Sequence, residues 1–167
     1  ALAAASPAAT PQRWPLLVWR LLDHAALNHG AREIVTQTAH GVDRSSWRDV
    51  QRRAKRLAGA LTGLGIGTGD RVATLAWNTA RHIECWYGIS GMGAVAHTIN
   101  PRLFDDQIVF IGNHAEDRVL FFDPDLLPLV ERLAPRFESI ERYVVLADRA
   151  RMPASARDLL CYEELIA

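Results

Sequence analysis

From Arg71 onward the chain alternates short apolar runs with segments of helical pattern, and this alternation is its strongest constraint on fold. Residues 72–76, 94–99, 118–122 and 143–146 are each too short and too uniformly apolar for helices. Between them lie three segments, 78–92, 105–113 and 125–137, with helix-starting residues such as Asn78, Thr79 and Asp105. Strands that read as near-continuous apolar runs are covered on both faces, and strands joined through helices run parallel with right-handed crossovers. The expected class is α/β: a parallel sheet with flanking helices, in which Val72, Leu75, Val95, Ile99, Val119, Phe121, Val144 and Leu146 are buried.

The segment before the alternation adds an N-terminal layer. Trp47, Val50, Ala54, Leu57, Leu61 and Leu64 recur at spacings of three and four, which is one apolar helix face. Ser46 is placed to cap it, with Asp49 three residues on in an aspartate variant of the capping box. Residues 33–38 and 42–45, separated by a turn near His40 and Gly41, predict a short hairpin. Leu16, Leu17, Trp19, Leu21, Leu22 and Ala25 predict a first helix ending near Gly30. Residues 1–13 are alanine- and proline-rich, lack a basic stretch followed by a long apolar one, and read as a disordered leader. Residues 14–167 then form one α/β domain.

Composition narrows the partners. Nineteen basic and nineteen acidic residues cancel, so no global field draws the chain to nucleic acid or to an anionic membrane. No apolar run approaches the roughly 20 residues of a transmembrane helix. Cys85 and Cys161 have neither metal nor redox spacing and read as free thiols in a reducing cytoplasm.

Several motifs invite chemistry that their context denies. The run Gly63-Leu64-Gly65-Ile66-Gly67-Thr68-Gly69-Asp70 is glycine-rich, but it closes a helix and opens a strand, the reverse of a phosphate loop. Arg48, Arg52, Arg53, Lys55 and Arg56 fall opposite the apolar stripe and read as a solvated helix face. The six histidines make no metal-ligand spacing, and Gly88-Ile89-Ser90-Gly91 has its serine inside a helical segment with Met92 where a nucleophile elbow needs glycine. No catalytic and no metal-binding residue is assigned.

What remains is position. Ligands of open α/β sheets gather beyond the carboxyl ends of the strands, which singles out Trp77-Asn78-Thr79, Asn100-Pro101-Arg102 and Asp123-Pro124. Trp77 offers apolar surface, Asn78 and Asn100 amide hydrogen bonds, and Arg102 a charge for a carboxylate or phosphate. The alternative for the two asparagines is local: a helix cap at Asn78 and an ordinary Asn-Pro turn at Asn100.

The same stretches carry a resemblance. Gly69-Asp70-Arg71-Val72-Ala73, Leu75-Ala76-Trp77-Asn78, Gly91-Met92-Gly93-Ala94-Val95, His97-Thr98-Ile99-Asn100-Pro101-Arg102-Leu103 and Asn113-His114-Ala115-Glu116-Asp117 resemble, in order and spacing, the N-terminal region of medium- and long-chain fatty-acid CoA ligases, acyl-CoA synthetases of the adenylate-forming superfamily. Arg44-Ser45-Ser46-Trp47 and Tyr162-Glu163-Glu164-Leu165 extend it over nearly the whole chain. Phe104 departs from the pattern, standing where the family often has a serine or threonine cap, and the helix start is expected to shift so that Asp105 caps.

The resemblance implies an enzyme using ATP, Mg2+ and CoA: a fatty acid or other apolar carboxylate becomes an acyl-adenylate with release of pyrophosphate, and CoA then displaces AMP. It adds His97 to the substrate-side candidates Trp77, Asn78, Asn100 and Arg102. It also implies that the chain is a truncated part of such an enzyme, inactive alone. The family's Ser/Thr/Gly-rich run ending in Pro-Lys-Gly, its acidic ribose-binding segment, its hinge and its C-terminal domain with a catalytic lysine are all missing from residues 1–167. Two other readings stay open: a self-association module whose Trp14, Trp19 and leucine-rich first helix forms a homodimer contact, and a stand-alone nucleotide-binding domain.

Overall fold

The computed structural model describes residues 15–38 and 41–167; the expected leader, Trp14 and the His40 turn position lie outside the described residues. The chain forms helix α1 (Trp19–His29), an antiparallel hairpin of β1 (Glu33–Thr38) and β2 (Gly41–Ser46), and the long helix α2 (Trp47–Gly63). Next come β3 (Arg71–Leu75), α3 (Ala80–Gly91), β4 (Val95–Thr98), α4 (Asp105–Ala115), β5 (Val119–Phe122), α5 (Leu127–Leu133), β6 (Arg142–Val145), β7 (Leu159–Cys161) and α6 (Tyr162–Leu165). The last five strands make one sheet in the order β4-β3-β5-β6-β7, every neighbouring pair parallel.

The period of two along each strand sorts the core into two sides. Ala73, Leu75, Leu120, Phe122 and Val145 face α4 and α5, where Ile108, Val130 and Leu133 meet them. Val72, Val119, Phe121 and Val144 face α2, α3 and α6, against Leu57, Leu61, Ile89 and Tyr162. The expected three-layer α/β arrangement is the one observed. At the start of α2, Asp49 N donates to Ser46 Oγ at 3.1 Å while Ser46 Oγ donates to Asp49 Oδ2 at 2.6 Å, so the expected cap forms in both directions.

Five expectations change. Val95 is 47% exposed rather than buried, because β4 is an edge strand and none of its residues is fully covered. The expectation of four strands also changes, since a fifth, β7, pairs with β6. The segment 125–137 is not one helix: α5 is bracketed by single 3₁₀ turns at Pro124–Leu126 and Ala134–Arg136, since Pro135 has no N–H to continue the α-helical ladder. Phe104, not Asp105, precedes α4, and its N–H donates to Gln107 Oε1 at 3.2 Å. Arg53, expected on the solvated face with its exposed neighbours Arg52, Lys55 and Arg56, turns inward toward Glu84.

Candidate functional site at the carboxyl edge of the sheet

Three loops meet where β3, β4 and β5 end. Past β3, Trp77 is 38% exposed, its backbone N–H donates to Asp123 Oδ2 at 2.6 Å, and its indole Nε1 donates to Asp125 Oδ2 at 3.0 Å. Past β4, Asn100 Oδ1 accepts from Arg102 N at 2.9 Å, closing the Asn-Pro turn and aiming Arg102 back over the sheet. Its guanidinium carbon lies 6.0 Å from the Trp77 ring centroid, a cation–π approach. Among the described residues, no carboxylate pairs with Arg102.

Burial of Asp123 beneath this loop pushes its carboxyl up to about 6, with the charge of Asp125 adding to the rise and the Trp77 N–H and Arg81 opposing it. Thr79, rather than Asn78, caps α3, its Oγ1 accepting from His82 N at 3.3 Å. Asn78 is thereby released from the capping role and stands exposed beside Trp77.

The structure therefore brings Trp77, Asn78, Asn100 and Arg102 to one edge, and sets His97 apart. His97 points down the face of β4 toward α4, where its Nδ1 lies 2.7 Å from Asp117 Oδ2. Burial raises the Asp117 carboxyl, against the pull of His97, and Asp117 Oδ1 is enclosed without a partner. This pair ties the edge strand to the turn before β5, at the opposite end of the sheet.

The glycine-rich turn lies at that opposite end too, and its amides are taken. Gly65 N donates to Thr62 O, Ile66 N to Leu61 O, Gly67 N to Asp70 Oδ2 and Gly69 N to Gly93 O. Gly65 and Gly69 adopt φ of 79° and 84°, which explains glycine there as a helix stop followed by a tight turn. Of the turn from Gly65 to Asp70 only the Thr68 amide is without an internal partner, and a single amide does not cradle a phosphate. Among the described residues, no group of three or more His, Cys, Asp or Glu is arranged to hold a metal ion. The described residues thus do not fit the magnesium triphosphate that the resemblance implies.

Sequence reasoning missed a buried network beside the candidate edge. Arg53 Nε donates to Glu84 Oε1 at 2.8 Å, Tyr162 OH donates to Glu84 Oε2 at 2.7 Å, and both terminal nitrogens of Arg53 reach Glu163 at 2.8 Å. Arg81 Nε adds a further bond to Glu163 at 2.8 Å. Burial pushes Glu84 up, while Arg53 and Tyr162 draw it back. The signal in the sequence was Glu84 on a helix side shared with Cys85, Gly88 and Ile89.

Residues 22–159 match the family model of the AMP-binding enzymes. The chain belongs to that family. It is 48% identical over 155 residues to 3-methylmercaptopropionyl-CoA ligase of Ruegeria pomeroyi, covering 92% of this chain and 29% of that protein. Identity to the long-chain-fatty-acid CoA ligase of Thermus thermophilus is 45% over 152 residues, 90% of this chain and 27% of the relative. Among solved structures, the anthranilate CoA ligase AuaEII in complex with anthranoyl-AMP superposes with a TM-score of 0.76 at 25% identity, over 92% of this chain and 28% of that one. The N-terminal domain of FACL13 from Mycobacterium tuberculosis superposes with a TM-score of 0.67 at 25% identity, over 76% and 33%. The chain thus spans less than a third of the length of these two curated relatives.

Proposed function

We propose that residues 14–167 are the first part of the large domain of an AMP-forming acid–thiol ligase, whose substrate is a fatty acid or another apolar carboxylate. The observation that carries this is the match of nine-tenths of the chain to less than a third of CoA ligases, two of them named for aliphatic acids. The whole enzyme converts carboxylate and ATP to an acyl-adenylate and passes the acyl group to CoA, in the cytoplasm.

Within this reading, Trp77, Asn78, Asn100 and Arg102 face the substrate side. The exposed indole supplies apolar surface, and the guanidinium above it lacks a carboxylate partner among the described residues. His97 acts from the other end, holding β4 in place through Asp117.

The 167-residue chain alone forms no acyl-adenylate in this reading. Charge developing at a reacting phosphate needs amide donors, a cation and metal ligands in one preorganised place. Here the glycine amides are occupied, and the single lysine, Lys55, sits on α2 at 3.3 Å from Asp23. Incubating the purified chain with ATP, magnesium and acids of two to sixteen carbons should release no pyrophosphate above background. Release by the chain, abolished by Arg102→Ala, would overturn this assignment.

The outer face of α1 favours self-association as a second reading. Leu17 and Val18, just before α1, and Leu21 and Leu27 on it are 44%, 56%, 66% and 83% exposed. Sedimentation over a hundredfold concentration range should show a dimer that Leu21→Glu dissolves; a monomer throughout removes this reading.

A further inference from the structure

The peptide of Trp77 hangs between two buried titratable side chains that come from different elements. On one side Asp123, at the end of β5, accepts its N–H at 2.6 Å; on the other His82, in the first turn of α3, approaches its carbonyl through Nδ1 at 3.1 Å. Both residues are 8% exposed.

The tautomer of His82 follows from its neighbours. Trp86 Nε1, which can only donate, lies 3.2 Å from His82 Nε2, so Nε2 is an acceptor. The carbonyl of Trp77 can only accept, so Nδ1 carries the hydrogen. Thr74 Oγ1, at 2.9 Å, completes the environment of Nε2. His82 is therefore neutral, with Nδ1–H donating to the Trp77 carbonyl.

We propose that Asp123 and His82 are positioning residues that clamp the Trp77 peptide from both sides, and that a change of proton on either one moves the Trp77 indole while the sheet stays folded. The role in positioning a substrate-facing group rests on the reading of the carboxyl edge given above.

The chemistry of the clamp runs in one direction on both sides. Ionised Asp123 accepts the Trp77 N–H; protonated, it loses the charge that holds this short bond. Neutral His82 accepts from Trp86; protonated, it sets one N–H against another. The charged and titratable groups facing the clamp are Asp125 on the turn after β5, Arg81 and Cys85 on α3, and Arg102 from the turn after β4. From β3 only the neutral Thr74 faces it.

Burial, with Asp125 adding, raises Asp123 to about 6 from 3.8, and burial lowers His82 from 6.5. The two carry opposite signs for global stability. Raised Asp123 contributes stability that is full below 3.8 and lost as pH rises through about 6; lowered His82 contributes stability present above 6.5 and lost as pH falls. Between those values the global terms offset one another, while both protonations weaken the same loop.

The test is a pH titration, from 5 to 8, of the 167-residue chain carrying 5-fluorotryptophan, followed by fluorine NMR with the Trp77 signal assigned by Trp77→Phe. The Trp77 signal should move with a midpoint near 6 while the Trp47 signal, on α2, stays still. Asp123→Asn should remove that midpoint. In case that variant does not fold, Asp125→Asn on the exposed turn should lower the midpoint by withdrawing the neighbouring negative charge. A Trp77 signal constant across the range, a midpoint unchanged in either folded variant, or Trp47 moving together with Trp77 overturns the clamp. Octanoate added at pH 7.5 separates the clamp from the reading on which its substrate role rests. A Trp77 signal that titrates but ignores octanoate removes the substrate-facing assignment and keeps the clamp; a signal that responds to octanoate without titrating does the reverse.

Discussion

At the amino end of the sheet, arginines are consumed by the protein itself: Arg118 bonds Asp70, Glu141 and the Gly65 carbonyl, and Arg71 bonds Glu116 and the Ala115 carbonyl. At the carboxyl end Arg102 stacks on an exposed indole and meets no carboxylate among the described residues. The glycine-rich turn at the first end, which looks more like a ligand loop in sequence, has the amides of Gly65, Gly67 and Gly69 bonded internally. The polar turn at the second end keeps groups open to solvent. The chemistry of a loop thus follows from which of its groups remain unspent after folding, more than from which residue types it contains.

Substitutions can break this contrast, and the largest effects should fall on what supports the carboxyl end from beneath. Arg53→Ala strands the buried Glu84 and leaves Glu163 to Arg81 alone, and should cost about 3 to 5 kcal/mol in denaturant titration, as breaking one half of a buried ion pair does. A loss under about 1 kcal/mol would mean that Glu84 is satisfied by Tyr162 alone. Leu57→Ala removes a fully buried side chain from between α2 and the sheet, against which Gly88 of α3 packs closely, with an expected cost of about 2 to 5 kcal/mol.

At the amino end, Gly69→Ala forces a side chain into a backbone of φ 84° and should cost about 1 to 2 kcal/mol, with no effect on octanoate binding. An effect on ligand with unchanged stability would mean that the turn is a binding element, and would erase the contrast. The smallest stability effect belongs to Arg102→Ala, expected within about 0.5 kcal/mol because the residue is exposed and makes no ion pair among the described residues. The same substitution should abolish the response of the Trp77 signal to octanoate. A stability loss with binding intact would make Arg102 a structural residue like Arg71.

The strands β3, β5 and β6 were readable because a strand buried on both faces must be largely apolar, as Val119 to Phe122 are. The apolar stripe of α2, with its Ser46 cap, was readable for the same local reason. Val95 misled because an apolar run carries no mark of whether its strand lies at the centre or the edge. Three-residue β7 was hidden because its stability comes from pairing with β6 rather than from its own composition.

The candidate edge was legible as three loops, since strand ends in a parallel sheet must converge. Its inner workings were not. Trp77 and Asp123 lie 46 positions apart, and Arg53 and Glu163 lie 110 apart. Local sequence, through periodicity and helix caps, determined the helices, most of the strands and the layering around the sheet. The tertiary structure alone decided that Arg53 turns inward, that His97 serves the opposite end from Trp77, and that the Trp77 peptide sits between an aspartate and a histidine. Each of these depends on which distant group supplies a partner for a polar atom once water is excluded, and that choice is made only when the chain closes on itself.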